Sequence, residues 1–337
     1  MPTILLSRHH VTWINITQPN SEDIHQLAEN YPQFHPLNLQ DCLTELEFPK
    51  LDHHDQYVFL IMQFPFWDAR ERISRPAEID IFVASGILVT SHRGELQPLN
   101  EFFAKTQGDE AFREQVMAQG ASPLLYHLLN ELVNYCFPIV KKVHQHLDRV
   151  ENSMFHAEPR SLLNDMAVLR RDIISLRSIL RPQMSVVGAL IHGNWPFIHE
   201  DLDAYWGDIN DHLLQLCSLL DEYSEVVSGL SDTIDTIASH RIDEVVRLLT
   251  VVTVLTLPLT LLATIFGMNV VMPLADHPIL FYFLISIGAV LTVWLLWYLR
   301  NKKWLWSKKA ISVAPFAEMA FFDNNQMAVT VDCRLYL

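Results

Sequence analysis

Two charge-free runs near the end of the chain constrain its fold more than any other feature. The first extends from Leu248 to Ala275 and the second from Pro278 to Leu299, and only Asp276 carries a full charge between them. Each run supplies about 20 apolar residues, the length that a helix needs to cross a lipid bilayer. The sequence therefore predicts a two-helix transmembrane hairpin. Its predicted parts are a first span at about 248–267, an outer loop at 268–278 and a second span at about 279–299.

The composition narrows the classes of protein to which the chain can belong. Its 337 residues carry a formal net charge of −15 at pH 7. This is the wrong sign for a nucleic-acid binder, whereas an acidic surface suits cations or solubility. The four cysteines are scattered and form no Cys-x-x-Cys pair, which argues against a zinc ribbon and indicates a reducing compartment. The first ten residues lack the apolar core of a secretory signal, so we expect the N-terminal part to stay in the cytoplasm.

Residues 1–121 combine strand and helix patterns and are predicted to form an N-terminal α/β domain. Ser21 is expected to cap a helix that extends to about Asn30. Ser85-Gly86 is typical of a hairpin turn, so at least part of the sheet is expected to be antiparallel. The strands are predicted where β-branched and aromatic residues cluster, at 11–16, 57–64, 78–84 and 87–91.

The hydrophobic period changes at Ser122, where apolar residues begin to recur every three or four positions. This period predicts one helix from Ser122 and a second at about 161–192. A third helix is expected to begin near Leu202 and to continue to Phe266, over roughly 100 Å at 1.5 Å per residue. The predicted domains are therefore a helical stalk at 122–246, a transmembrane domain at 247–306 and a poorly ordered C-terminal extension at 307–337.

An acidic stretch lies within the third predicted helix. No Lys or Arg occurs between Arg181 and Arg241, and the carboxylates in this interval include Asp221, Asp232 and Asp235. One interpretation is a solvated helix face. The other is that these carboxylates face each other across subunits, with hard cations such as Mg²⁺ between them.

The basic residues around the two spans predict their orientation. Arg241 and Arg247 precede the first span, and a second basic group follows the other span. This second group consists of Arg300, Lys302, Lys303, Lys308 and Lys309. Because basic residues stay on the cytoplasmic side, both ends of the chain are expected in the cytoplasm and the outer loop on the opposite side.

A stripe of leucine and threonine runs along the first predicted span. Its members follow each other at helical spacing and are Leu249, Thr253, Leu257, Thr260 and Thr264. Hydroxyl groups can bond the water shell of a hydrated ion, and leucines can form a dewetting constriction. Alternatively, the threonines bond to their own helix or to a neighbouring helix.

The end of the first span favours an ion path. Gly267 permits a backbone turn that other residues resist, and Asn269 offers a neutral amide oxygen. Because Mg²⁺ keeps several of its waters when bound, a ring of neutral oxygens would select a hydrated ion without trapping it. One hairpin cannot enclose a pore, so this interpretation requires a symmetric oligomer.

The motifs around this turn resemble a known family. They are Arg241-Ile242-Asp243-Glu244-Val245-Val246-Arg247, Leu257-Pro258-Leu259-Thr260, Phe266-Gly267-Met268-Asn269 and Lys302-Lys303-Trp304-Leu305. Further similar motifs upstream are His35-Pro36-Leu37, Pro49-Lys50-Leu51 and Leu169-Arg170-Arg171-Asp172. Over about residues 10–306 the sequence resembles the CorA family of divalent metal-ion transporters, which includes a zinc-transporting ZntB branch.

The resemblance implies a funnel-shaped homopentamer. In each subunit an α+β cytoplasmic domain leads into a long helical stalk and a two-helix transmembrane hairpin, whose first helix lines the pore. The outer selectivity ring is implied to be Gly267, Met268 and Asn269. The pore-lining positions are implied to be Asp243, Val246, Leu249, Leu257 and Thr260. A regulatory Mg²⁺ site is implied at Asp232, and the candidates for its further ligands are Asp235, Asp68 and Asp80.

The leading prediction is uptake of Mg²⁺ across the cell's inner (plasma) membrane, with Mg²⁺ as both cargo and regulator that favours closure. Many magnesium transporters of the family have a glutamate in the outer loop that is missing from Val271-Met272-Pro273-Leu274. The zinc-transporting branch also lacks it, so a Zn²⁺, Co²⁺ or Ni²⁺ transporter, with or without proton coupling, is the alternative. A non-conducting membrane-anchored metal sensor is the third interpretation. An enzyme is not expected, because the sequence has no Gly-x-Gly-x-x-Gly motif, phosphate loop or Ser/His/Asp arrangement.

Overall fold

A computed structural model of the chain describes residues 3–8, 10–154, 159–193, 195, 203–267 and 278–301. Contacts within the chain divide it into two compact units, Met1–Thr236 and Ile237–Leu337. The predicted filter residues Met268 and Asn269, most of the predicted outer loop and the predicted C-terminal extension lie outside the described residues.

The first unit contains one sheet of six strands. The strands are β1 (Thr3–Arg8), β2 (Val11–Thr17), β3 (Lys50–His53), β4 (Tyr57–Asp68), β5 (Ile73–Ala84) and β6 (Ile87–His92). Their order across the sheet is β1-β2-β6-β5-β4-β3. All neighbours are antiparallel except β2 and β6, which are parallel. The four predicted strands are thus confirmed, as is the antiparallel pairing.

The turn between β5 and β6 requires its glycine. Ala84 pairs with Ile87, so Ser85 and Gly86 form a two-residue hairpin loop. Gly86 has a φ of +73°, and a Cβ atom placed on it would lie 2.4 Å from the carbonyl oxygen of His10. Any other residue would therefore meet both an unfavourable backbone conformation and a steric clash.

Helices cover both faces of the sheet. Helix α1 (Ser21–Asn30) and helix α2 (Pro36–Asp41) lie on one face. The helix α1 begins one residue earlier than the predicted cap implied, because Asn20 rather than Ser21 is the N-cap. The side-chain oxygen of Asn20 accepts hydrogen bonds from the backbone N–H groups of Glu22 (2.9 Å) and Asp23 (3.0 Å).

The other face packs against longer helices. These are α3 (Gln97–Gly108), α4 (Glu110–Met117), α5 (Ala121–Ser153) and α6 (Pro159–His192). Helix α7 (Asp203–Phe266) packs against this helical layer, where Tyr126 on α5 contacts Trp206. The helix α7 has 64 residues and contains Gly207 and Gly229 without interruption, which confirms the predicted continuous helix. Trp206, Leu213 and Leu220 on α7 are fully buried in the main hydrophobic core of the first unit.

Buried polar groups fasten α6 to the sheet. Asp172 accepts a hydrogen bond from the backbone N–H of Ser74 on β5 (2.6 Å), and the hydroxyl of Ser175 donates to the Ser74 carbonyl (2.6 Å). Eight residues beyond Ser175, the side-chain oxygen of Gln183 accepts from the backbone N–H of Gln63 on β4 (3.2 Å). Because these groups are shielded from water, each bond is costly to break.

The second unit contains the end of α7 and helix α8 (Pro278–Asn301). Among the described residues, the segment Val245–Thr264 is long and apolar enough to cross a membrane, while Ile285–Tyr298 is a shorter apolar helical stretch. The two helices approach closely at Gly288, where an added Cβ atom would lie 2.4 Å from Cδ1 of Leu262. The first predicted span is therefore an apolar helix, and the arrangement of both helices as a membrane hairpin stays a prediction.

Candidate functional site

The predicted stripe lies along one side of α7 and is exposed over its whole length. Its exposed members are Leu249, Thr253, Leu257, Thr260 and Thr264, and Val246, a predicted pore-lining residue, is exposed too. Spacings of three and four residues place them on one side because a helix turns every 3.6 residues. Pro258 is buried and Leu262 contacts α8, so the side of α7 that faces α8 is roughly opposite the stripe. Asp243, three positions before Val246, is exposed as well.

The threonine hydroxyls of the stripe donate to their own helix. Thr253 donates to the carbonyl of Leu249 at a distance of 2.8 Å. Thr260 donates to the carbonyl of Thr256, and Thr264 to that of Leu261, at the same distance. Of the two alternatives considered for these threonines, bonding to their own helix is therefore the arrangement within a single chain.

These hydrogen bonds determine whether the threonine hydroxyls can donate to a ligand or accept from it. A hydroxyl has one proton to donate and two lone pairs to accept with. Because the proton is held by a backbone carbonyl, the outward side of each oxygen presents acceptor sites. Water molecules bound to a cation direct their protons outward, so these oxygens match the shell of a hydrated cation.

The end of α7 differs from the predicted glycine turn. The N–H of Gly267 still donates to the carbonyl of Ala263 at 2.9 Å, which continues the helical hydrogen bonding. Gly267 does not have a positive φ. The special backbone conformation expected at Gly267 is therefore absent at this residue.

The predicted regulatory aspartates on α7 are accessible. Asp232 and Asp235 are both exposed. Among the described residues, no group of three His, Cys, Asp or Glu side chains is arranged to hold a metal ion. A metal ion at Asp232 would therefore need ligands beyond those that the described part of one chain brings together.

The side chain of Asp68 stabilises the turn that directly follows it in the chain. Its carboxylate accepts from the backbone N–H groups of Arg70 (2.9 Å) and Glu71 (3.3 Å) and contacts Nε of Arg75 at 2.8 Å. The hydrogen bond from Arg70 is the main reason that the pKa of Asp68 is lowered. The carboxylate oxygens are thus already bound within the β4–β5 hairpin.

Asp80 is not positioned as a surface ligand, which corrects the sequence-based expectation. Its side chain lies inside the first unit and is only 4% exposed. Burial raises the pKa of Asp80 well above its usual range, because the charged form is disfavoured in the interior. An inaccessible carboxyl cannot reach a metal ion between two chains.

The structure also shows an arginine pair that the sequence reasoning missed. Nη2 of Arg177 lies 2.6 Å from Asp221, and Nη2 of Arg181 lies 3.2 Å from the same carboxylate. One carboxylate of the acidic stretch is therefore neutralised by α6 within the chain. The signal that would have revealed this contact is the four-residue spacing of the two arginines, which puts both on one side of a helix.

Comparison with known proteins gives the family to which this α+β domain with long helices belongs. The profile of the family described as "CorA-like Mg2+ transporter protein" matches residues 8–303. The chain therefore belongs to the CorA family.

Individual relatives agree with this assignment. The chain is 26% identical over 298 residues to the cobalt/magnesium transport protein CorA of Thermotoga maritima, a match that covers 87% of this chain and 83% of the relative. It is 20% identical over 241 residues to the zinc transport protein ZntB of Pectobacterium carotovorum, and this match covers 71% of each chain.

A solved structure shows the same fold. The CorA magnesium transporter of Methanocaldococcus jannaschii superposes with a TM-score of 0.77, covering 90% of this chain and 94% of that one at 20% identity. The α+β domain with long helices is thus a family fold. As a CorA-family protein, the chain is a divalent-cation transporter of membranes and not an enzyme.

Proposed function

We propose that copies of this chain assemble, as a homopentamer, into a channel-type transporter that takes up hydrated Mg²⁺ across the inner membrane. The observation that carries this proposal is the exposed stripe on α7, which occupies the described segment that is long and apolar enough to span a bilayer. Hydroxyl groups within this segment of a lone helix would face lipid at a cost. Copies that turn their stripes toward one another remove this cost and enclose a path.

The stripe combines two kinds of layer. Thr253, Thr260 and Thr264 present acceptor oxygens to the waters of a passing cation. Leu249 and Leu257 are 65% and 60% exposed and lie about 12 Å apart along the helix at 1.5 Å per residue. Rings of leucine at these two levels would exclude water when narrow, which gives the path a closed state.

The outer ring and the regulatory site complete the proposal. Asn269, with Gly267 and Met268, would form a ring of neutral oxygens at the outer mouth that holds Mg²⁺ through its waters. Mg²⁺ bound at Asp232, with Asp235 as a second carboxylate, would hold neighbouring copies together and favour closure. The membrane potential supplies the driving force, since a divalent ion gains about 4–5 kcal/mol per 100 mV on entering.

Zinc transport is the second candidate. It is favoured by the similarity to a zinc transport protein and by the lack of a loop glutamate in Met272-Pro273-Leu274. Competition of Mg²⁺ flux by Zn²⁺, Co²⁺ and Ni²⁺, measured with and without a proton gradient, separates the two candidates. A chain that conducts none of these ions would instead be a membrane-anchored metal sensor.

The pore assignment is tested by replacing Asn269 with Ala. The full chain is reconstituted in liposomes, and Mg²⁺ entry is followed with an internal dye. We expect the substitution to abolish uptake because the ring of amide oxygens is lost. Replacing Asn301, at the end of α8, with Ala provides the matched control and should leave uptake intact. Equal uptake by the Asn269 variant and the parent would refute the pore assignment.

A further inference from the structure

Two acidic side chains lie on the covered face of a central strand. Glu78 and Asp80 on β5 share a face with Phe82, because alternate residues of a strand point the same way. Phe82 packs in the core beneath α1 and α2. The segment 42–49, which we term the α2–β3 loop, approaches the two acidic side chains from above this face.

Glu78 holds the α2–β3 loop at Glu47. The backbone N–H of Glu47 donates to the carboxyl of Glu78, and its carbonyl accepts from Nε2 of Gln63 at 2.8 Å. Gln63 and Glu78 are cross-strand partners on β4 and β5. Both backbone polar groups of Glu47 are therefore hydrogen-bonded to side chains of two adjacent strands. The residue before it, Leu46, has a φ of +54°, a strained value for a leucine. The grip of Glu78 and Gln63 thus holds the loop in an unfavourable conformation.

Asp80 lies deeper in the same region, beside the thiol of Cys42. Its Oδ1 atom has no hydrogen-bond partner among the described residues, and the side chain is 4% exposed. Ser91 on β6 is its cross-strand neighbour and is fully buried, and its hydroxyl also lacks a partner there. Two facing polar groups without partners in the interior are costly unless one of them carries a proton.

Within the described part of the chain, the positive charge nearest the pair, Arg93, already has other partners. The groups that face the pair are Asp41 on α2, Cys42 and Glu47 on the α2–β3 loop, and Arg93 after β6. Arg93 already donates to the carbonyl of Thr44 (3.2 Å) and contacts Glu45 (3.7 Å). Lys50 pairs with Asp41 at 2.8 Å. The acidic pair therefore has a deficit of positive charge that a bound proton relieves.

We propose that Glu78 and Asp80 form a proton-binding site beneath the α2–β3 loop, and that loss of the proton from Glu78 loosens this loop. The inference does not depend on which metal the protein carries or on whether it conducts. Burial also raises the pKa of Asp80 well above its usual range, and Glu78 is the group whose titration the proposal concerns. The ionised form of Glu78 is penalised while the loop covers it and is relieved when the loop opens to water.

The direction and the size of the pH effect on loop closure follow from proton linkage. Burial is the main cause that raises the pKa of Glu78 from 4.5 to about 7. The closed loop thus binds the proton more tightly than the open loop, so closure is favoured below pH 4.5 and is lost progressively as the pH rises through 7. Between pH 5.5 and 7.5 the closed-to-open ratio should fall about twenty-fold.

Hydrogen–deuterium exchange on the full chain in detergent tests this proposal. Protection of the peptide that contains Glu47, corrected for the intrinsic pH dependence of exchange, should fall about twenty-fold from pH 5.5 to 7.5. The variant E78Q keeps an acceptor for the Glu47 N–H but cannot ionise, so its protection should not change with pH. The variant E95Q removes an exposed carboxylate two residues after Arg93 and should behave as the parent.

Two results would overturn the proposal. Protection of the parent that is constant with pH excludes the linkage, and an unchanged fall in E78Q assigns the proton to another group. Infrared difference spectra of the parent need no variant and remain decisive if E78Q does not fold. They should show a protonated carboxyl band that disappears with a midpoint near pH 7, and absence of such a band between pH 6 and 8 would also overturn the proposal.

Discussion

Replacing Thr260 with Val isolates the contribution of one hydroxyl layer to ion passage. Thr260 is exposed in the middle of the stripe, and its hydroxyl donates to the carbonyl of Thr256 at 2.8 Å. Valine has the same shape but presents no acceptor oxygen to the waters of a cation. The backbone hydrogen bonds of α7 do not depend on the side chain, so stability should change by no more than about 0.5 kcal/mol.

The expected loss of flux follows from the number of hydroxyl contacts. One hydrogen bond contributes about 1 kcal/mol net. A hydrated ion that passes a symmetric ring touches two or three hydroxyls, so their loss raises the barrier by about 2–3 kcal/mol. Since about 1.4 kcal/mol corresponds to a factor of ten, flux should fall about 30- to 150-fold.

The assay is Mg²⁺ entry into liposomes that contain the full-length variants at equal density. Thr292 on α8 provides the matched control, since its hydroxyl also donates to its own helix, at a distance of 2.8 Å from the carbonyl oxygen of Gly288. We expect T292V to retain parental flux, and T260S to recover most of it because serine restores the acceptor oxygen. Equal flux in T260V and T292V would show that the stripe does not line the path.

Two further predictions concern regulation and folding. D232N should raise flux at millimolar internal Mg²⁺ by about five-fold or more, since a ligand of the closing metal is lost. The control variant D211N, on the same helix, should leave the inhibition by Mg²⁺ unchanged. The same inhibition in D232N as in the parent would contradict the sensor role of Asp232. G86A should destabilise the fold by about 2–3 kcal/mol in thermal unfolding followed by circular dichroism, because Gly86 has a positive φ and no room for a Cβ atom. G108A has open space around the added methyl group and should be nearly neutral, so equal melting of both variants would contradict this account of the turn.

The sequence predicted the elements whose signal is local. The strands β4, β5 and β6 contain uninterrupted apolar runs, and the continuous α7 follows from a long helical period. The strands β1 and β3 were missed. Three of the four residues of β3, Lys50–His53, are charged or polar, and their strand conformation depends on pairing with β4.

In the candidate site, too, the features with a local sequence signal were predicted, and those that depend on distant contacts were not. Helical spacing alone places the stripe from Leu249 to Thr264 on one side of α7, and the structure shows that side exposed. The burial of Asp80 had no local signal. The alternation of Glu78, Ile79, Asp80 and Ile81 is typical of a strand with one solvated face, but both faces of β5 are covered. Coverage comes from the α2–β3 loop, some 30 residues earlier in the chain, which no local pattern reveals.

The close approach of α8 to α7 has a mechanical consequence. The side chain of Leu262 fills the space that a Cβ atom would occupy at Gly288, and it projects from the side of α7 roughly opposite the stripe. A turn of α7 about its own axis, which would swing Leu257 and Thr260 away from their direction, must either carry α8 along or lift Leu262 out of this notch. The two helices are therefore expected to turn together, so the contact with α8 limits how far the stripe can rotate.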